Sequence, residues 1–285
     1  MHDLPTELWL KIMPSACLDD GSTARALSAV WHRIRAISHE FRYQSIAVTG
    51  SRQVQHLVDA LQHPDNLGCR VEALFVEADD ISLITQLCSI VAPTVEILTI
   101  VATAPSPNLF NPPRTSPIDF DFPRLRELTL RGSVMLPRSN TFAPVLERVE
   151  ISYDTACTNI TFWGRTHPNL ICILLHFDRN IPVPRILVVL FCILIARIVA
   201  LEFVPIVARD IQEERDLHRA KVMLEQRAKR QSQFVLLPEV MKGGGIARKR
   251  WLDSVQGKGG VWALIEATVR DKIRQARDEG RSLHT

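Results

Sequence analysis

Pro93-Thr94-Val95-Glu96-Ile97-Leu98-Thr99-Ile100 is one copy of a phrase, Pro-x-apolar-x-x-apolar-x-apolar, that returns along the chain. It stands again as Pro123-Arg124-Leu125-Arg126-Glu127-Leu128-Thr129-Leu130, and as Pro144-Val145-Leu146-Glu147-Arg148-Val149-Glu150-Ile151. A further copy is Pro168-Asn169-Leu170-Ile171-Cys172-Ile173-Leu174-Leu175, and an earlier one without the proline holds Val71, Leu74 and Val76. Counted from the first apolar residue, the copies begin at 71, 95, 125, 146 and 170, a period in the low twenties with one insertion. A strand this short cannot bury its apolar edge alone, so successive copies are expected to stack into one continuous core. That core is predicted to hold Leu98, Ile100, Leu128, Leu130, Val149, Ile151, Ile173 and Leu175. Residues between or beside them, such as Thr99, Thr129, Arg131 and Glu150, are read as solvated strand positions that a ligand could meet.

On either side of the repeats the pattern turns helical. Leu4, Leu8 and Ile12 recur at helical spacing, with Pro5 and Thr6 at the start and Pro14 expected to end the turn. Gly21-Ser22 restarts the chain with Ser22 as an N-cap, and Leu27, Val30, Ile34 and Ile37 make a second apolar stripe. A strand is expected at Tyr43–Val48, then a helix after Gly50-Ser51 with Val54, Leu57, Val58 and Leu61 inward, ending near His63-Pro64. The six prolines between Thr103 and Pro123 exclude a helix or a central strand and explain the one long interval between copies.

The 285 residues, 46% hydrophobic and 23% charged, are enough for a sizeable core and argue against wholesale disorder. The net charge of +3 is uneven: residues 209–285 carry 17 Lys and Arg against 11 Asp and Glu. They form a basic appendage on a mildly acidic body. That region reads as charged helix over 208–230, a buried strand at Phe234–Leu237 stopped by Pro238, a flexible break at Gly243-Gly244-Gly245, and a last helix. In the last helix Trp262, Ile265, Val269, Ile273 and Ala276 share a face, and the tail is expected to cap the final strand and protect its edge.

Few patterns point to chemistry. The six cysteines (Cys17, Cys69, Cys88, Cys157, Cys172, Cys192) are scattered, with no metal-ligand spacing and no disulfide framework. Lys242-Gly243-Gly244-Gly245 lacks the order of a phosphate-cradling loop, and no His-Glu-x-x-His array or Gly-x-Ser-x-Gly elbow occurs. The chain is therefore read as a non-enzyme without cofactor or metal. Arg248-Lys249-Arg250 beside Trp251 is a weak basic cluster and reads as a solvated helix start, so nucleic acid is not an expected partner. Ile186–Leu201 is the most apolar stretch, but Arg197 interrupts it, and a mid-bilayer Arg costs roughly 2.5–3.5 kcal/mol on insertion. A buried strand with a short core helix fits it better than a membrane span. No signal segment follows Met1, and a reducing cytoplasmic or nuclear compartment is expected.

Leu4-Pro5-Thr6-Glu7-Leu8-Trp9-Leu10-Lys11-Ile12, followed by Leu27-Ser28-Ala29-Val30, resembles an F-box, whose motif opens Leu-Pro-x-Glu-apolar-x-x-x-Ile and continues through a Ser-x-Val segment. Trp31 stands where that family has a small residue, and Ile34 where it has a Trp. With the repeats behind it, the chain resembles fungal F-box proteins with degenerate leucine-rich repeats. The resemblance implies an α/β architecture in three parts. Residues 1–41 would be an F-box-like helical module, 42–208 an irregular leucine-rich-repeat solenoid with a parallel sheet, and 209–285 a charged helical region with a final strand at 234–237. It also implies a substrate-recognition subunit of a cullin–RING ubiquitin ligase, with a protein substrate of unknown identity presented on the repeats. The adaptor-binding residues would be Leu4, Pro5, Leu8, Ile12, Leu27, Ser28 and Val30. The alternative is a repeat scaffold whose box has decayed and which binds protein partners without ligase assembly.

Overall fold

The computed structural model describes residues 5–30, 32–39, 41–66, 69–103, 120–132, 134, 142–152, 169–177, 198–203, 222, 234–237 and 244–278. Eight strands form one sheet: β1 Ser45–Thr49, β2 Ala73–Ala78, β3 Ile97–Ala102, β4 Glu127–Arg131, β5 Arg148–Ser152, β6 Cys172–Phe177, β7 Ile198–Phe203 and β8 Phe234–Leu237. Each lies beside the one before it in chain order, and all seven pairings are parallel.

The register follows the repeated phrase. Leu74, Leu98, Leu128, Val149, Ile173 and Val199 form one row across the sheet, and Val76, Ile100, Leu130, Ile151, Leu175 and Leu201 form the next. The backbone repeats with it. The carbonyl of Glu72 accepts from the amides of Glu96 and Ile97, that of Glu96 from Arg126 and Glu127, and that of Arg126 from Glu147 and Arg148. Pro93, Pro123 and Pro144 sit exposed in the turns before these bonds, where a missing N–H costs nothing. The insertion between β3 and β4 leaves the register intact, because Glu127 still stands opposite Ile97. Most of the proline-rich stretch, 104–119, lies outside the described residues, as do 186–197 and all of 204–233 but residue 222.

Seven helices are described besides a short 3-10 turn: α1 Thr6–Ala16, α2 Ser22–Val30, α3 His32–Ser38, α4 Ser51–Gln62, α5 Ile81–Val91, α6 Gly244–Val255 and α7 Gly260–Asp278. α4 and α5 return the chain between β1, β2 and β3. Val54, Leu57, Val58 and Leu61 of α4, with Ile84, Leu87, Cys88 and Val91 of α5, join the two apolar rows, as far as Ile173 and Ile151, in the main core. Asp80 caps α5, its carboxylate accepting from the amides of Ser82 and Leu83.

Several local expectations are corrected. Pro14 does not end α1, which runs two residues further; the amide of Cys17 still reaches the carbonyl of Met13. Ser22 is the first helical residue of α2 rather than its cap. The capping acceptors are Asp19, which takes the amides of Gly21 and Thr23, and Asp20, which takes that of Ser22. Gly244 and Gly245 are not a break but open α6.

The largest difference concerns the tail. It does not only attend the last strand; α6 and α7 cross the sheet on the face opposite α4 and α5. Ala247, Trp251 and Val255 of α6 pack on Ala73 and Phe75 of β2, with Ile97 and Val101 of β3 beside them. Trp262 and Ile265 of α7 pack on Cys172 and Leu174 of β6. The sheet is thus covered on both faces, which its strands record as runs apolar at both parities, such as Ala73-Leu74-Phe75-Val76.

Candidate functional site

α1, α2 and α3 build a small module with its own core of Met13, Cys17, Ala24 and Ile34, against which Trp9, Leu27, Ile37 and Phe41 pack. On α1 the inward stripe is therefore Trp9-Met13-Cys17, at i, i+4 and i+8. The neighbouring stripe is left outside. Leu8 is 43% exposed and Ile12 is 47% exposed, with Leu10 at 44% and Pro5 exposed as well. Leu8 and Ile12 therefore do not pack the module onto the first strand. That joint is made by the 18–21 loop. Leu18 packs beside Ala47 on the α6 side of the sheet, the hydroxyl of Ser45 donates to the carbonyl of Asp19, and the amide of Ala47 donates to the carbonyl of Asp20 at 3.4 Å.

Of the expected adaptor-facing set, Pro5, Leu8 and Ile12 lie on one exposed face of α1, while Leu27 is turned into the module core. Ser28 ties α2 to α3. Its hydroxyl donates to the carbonyl of Ala24 at 2.8 Å and lies 3.2 Å from that of Ser38, and its carbonyl accepts from Arg35 Nε. Leu4 and the side chain of Val30 lie outside the described residues. Burial alone would push the carboxyl of Asp19 up, but hydrogen bonds from Thr23, Ser22 and Gly21 outweigh it and hold the group below the ordinary carboxylate range. The cap on α2 is thus charged at neutral pH.

The strand positions read as solvated have a different setting. Thr99 is 2% exposed and Glu150 1% exposed, under the tail helices. Glu150 accepts from Arg131 of the neighbouring strand and, at 3.4 Å, from Arg250 of α6. One strand row further, Arg148 donates to Glu127 at 2.6 Å and to Glu266 of α7 at 3.2 Å, and Trp262 Nε1 donates to Glu127 at 3.1 Å. The basic cluster is likewise not a solvated helix start: Arg248 pairs with Asp20 at 2.5 Å, Arg250 meets Glu150, and Trp251 is buried. What sequence reasoning missed is that these charges were partners for one another across the fold. The signal lay in strands β4 and β5, whose Glu127, Arg131, Arg148 and Glu150 demand counter-charges once buried.

Among the described residues no group of His, Cys, Asp or Glu could hold a metal ion, and no helix is long and apolar enough to cross a membrane. Burial pushes the thiols of Cys88 and Cys172 up to about 12, so neither is a nucleophile at neutral pH. No protein-family model matches the chain, and a search of curated proteins finds no match.

Proposed function

We propose that this chain is a non-catalytic substrate-recognition subunit of a cullin–RING ubiquitin ligase, an F-box-like module joined to a degenerate leucine-rich-repeat solenoid. The observation that carries the reading is the exposed apolar face of α1. Leu8 and Ile12 stand one turn apart in the Leu-Pro-x-Glu frame, each more than two-fifths exposed on a helix whose inward face is already satisfied by Trp9 and Met13. A helix of this kind docks by laying its apolar anchors into a groove of the adaptor. Burying each anchor is worth up to roughly 1.5–3 kcal/mol before association costs. The parallel sheet with strands in chain order supports the repeat half of the reading. With one face of the sheet under α6 and α7, the scaffold offers a substrate the outer side of α7.

Co-purification with the adaptor tests this. Leu8→Asp with Ile12→Asp abolishes it while leaving the melting temperature nearly unchanged, because neither side chain is part of a core. Retention of the adaptor by the double variant overturns the assignment. A second reading, a repeat scaffold whose box has decayed, draws on Leu27, which is committed to the module core and leaves the second block a smaller apolar surface. Under that reading the native chain retains no adaptor.

A further inference from the structure

A cavity of about 460 Å³ opens where the helical module, the outer edge of β1, α4 and α6 meet. Arg25 from α2, Arg42 from the turn before β1 and Arg248 from α6 line it, together with His56 of α4. Among the described residues Asp20 is the single carboxylate in the lining, and each of its oxygens accepts a hydrogen bond. Its Oδ2 takes Arg248 at 2.5 Å, and its Oδ1 takes the amide of Ser22 at 3.1 Å. Among the described residues no carboxylate pairs with Arg25 or Arg42. Arg42 is nonetheless held, with its guanidinium carbon 5.4 Å from the centre of the Tyr43 ring. Ile46, Val48 and Leu57, each nearly buried, add a small apolar floor on the β1–α4 side of the lining.

We infer that this cavity binds an organic phosphate monoester, its phosphate between Arg25 and Arg42 and its apolar body on the β1–α4 floor. Charge selects the head group. A phosphate monoester carries about −1.5 to −2 at neutral pH, which matches two guanidiniums that no carboxylate of the described residues pairs. The planar fork of Arg suits its oxygens. Size selects the body, because pockets of about 300–1,000 Å³ hold small organic ligands rather than a bare ion. An added β-strand is the wrong occupant. The amides of Ala47 and Thr49, which face outward from β1, already donate to Asp20 and to the Gln53 side chain. The inference is independent of adaptor docking, since no residue of the α1 face lines the cavity.

Calorimetric titration of the full chain with phenyl phosphate tests it, beside inorganic phosphate and a peptide carrying phosphotyrosine. Phenyl phosphate binds at least tenfold more tightly than inorganic phosphate, and binding weakens on going from low to high NaCl. Arg25→Gln with Arg42→Gln reduces affinity at least tenfold, with the melting temperature as a check on folding. Should the double variant fail to fold, Arg42→Gln alone reduces affinity by at least threefold. Binding of the phosphopeptide as well as phenyl phosphate assigns the ligand to a phosphorylated protein, and binding of phenyl phosphate alone assigns it to a small metabolite. No binding of either, or binding that the arginine variants leave unchanged, overturns the inference.

Discussion

At the scale of single residues, positions with no side-chain freedom are as informative as the core. Gly132 closes β4 with φ +80, and a Cβ there would lie 2.0 Å from the carbonyl oxygen of Ala102 at the end of β3. Backbone, not a flexible side chain, occupies that space. Gly132→Ala therefore carries both the left-handed strain, about 1–3 kcal/mol, and a clash that only a shift of β3 against β4 relieves. Denaturant unfolding is expected to show a loss at the upper end of that range or beyond. A loss under about 0.5 kcal/mol, the usual spread for a neutral surface change, would mean the two strand ends are not in this contact. The α1 stripe was only half legible at this scale. The spacing of Leu4, Leu8 and Ile12 marks one apolar face, yet Trp9, Met13 and Cys17 mark another, and periodicity alone does not say which turns inward.

At the scale of elements, the strands were readable because each copy of the phrase carries two apolar residues of one parity behind a turn. Phe234–Leu237 was readable as a strand for the complementary reason, a short β-prone run closed by Pro238. The placement of α6 and α7 was not. Their anchors lie far from their partners in the chain: Trp262 to Glu127, Glu266 to Arg148 and Arg250 to Glu150 are contacts between residues 100 or more apart. Such pairings are invisible to any local pattern. The local traces were the double-parity burial of β2 and β6 and the charged positions of β4 and β5. Trp251 is the main apolar anchor of α6, its ring 5.9 Å from that of Phe75. Trp251→Ala is expected to release the tail helices while the sheet persists, since the main core lies on the other face. Hydrogen exchange then accelerates across 244–278 and stays slow in β3 and β4. Unchanged exchange in 244–278 would show that the polar contacts and the Trp262–Ile265 packing hold these helices down without Trp251.

At the scale of the whole molecule, a sheet that grows by one strand per repeat has two edges to protect. The 18–21 loop covers the β1 edge through the Ser45 and Ala47 contacts, and α7 reaches the β8 end. The helical module is therefore joined to the sheet through its loop and not through α1, which leaves Leu8 and Ile12 exposed. That separation of a docking face from a scaffold is the central claim. Titration of the purified adaptor into the full chain and into the Leu8→Asp, Ile12→Asp variant tests it most directly. Saturable binding to the native chain is predicted, with a loss of affinity of at least a hundredfold in the variant, about 2.8 kcal/mol at tenfold per 1.4 kcal/mol. Absence of binding to the native chain, or equal affinity for both, would contradict it.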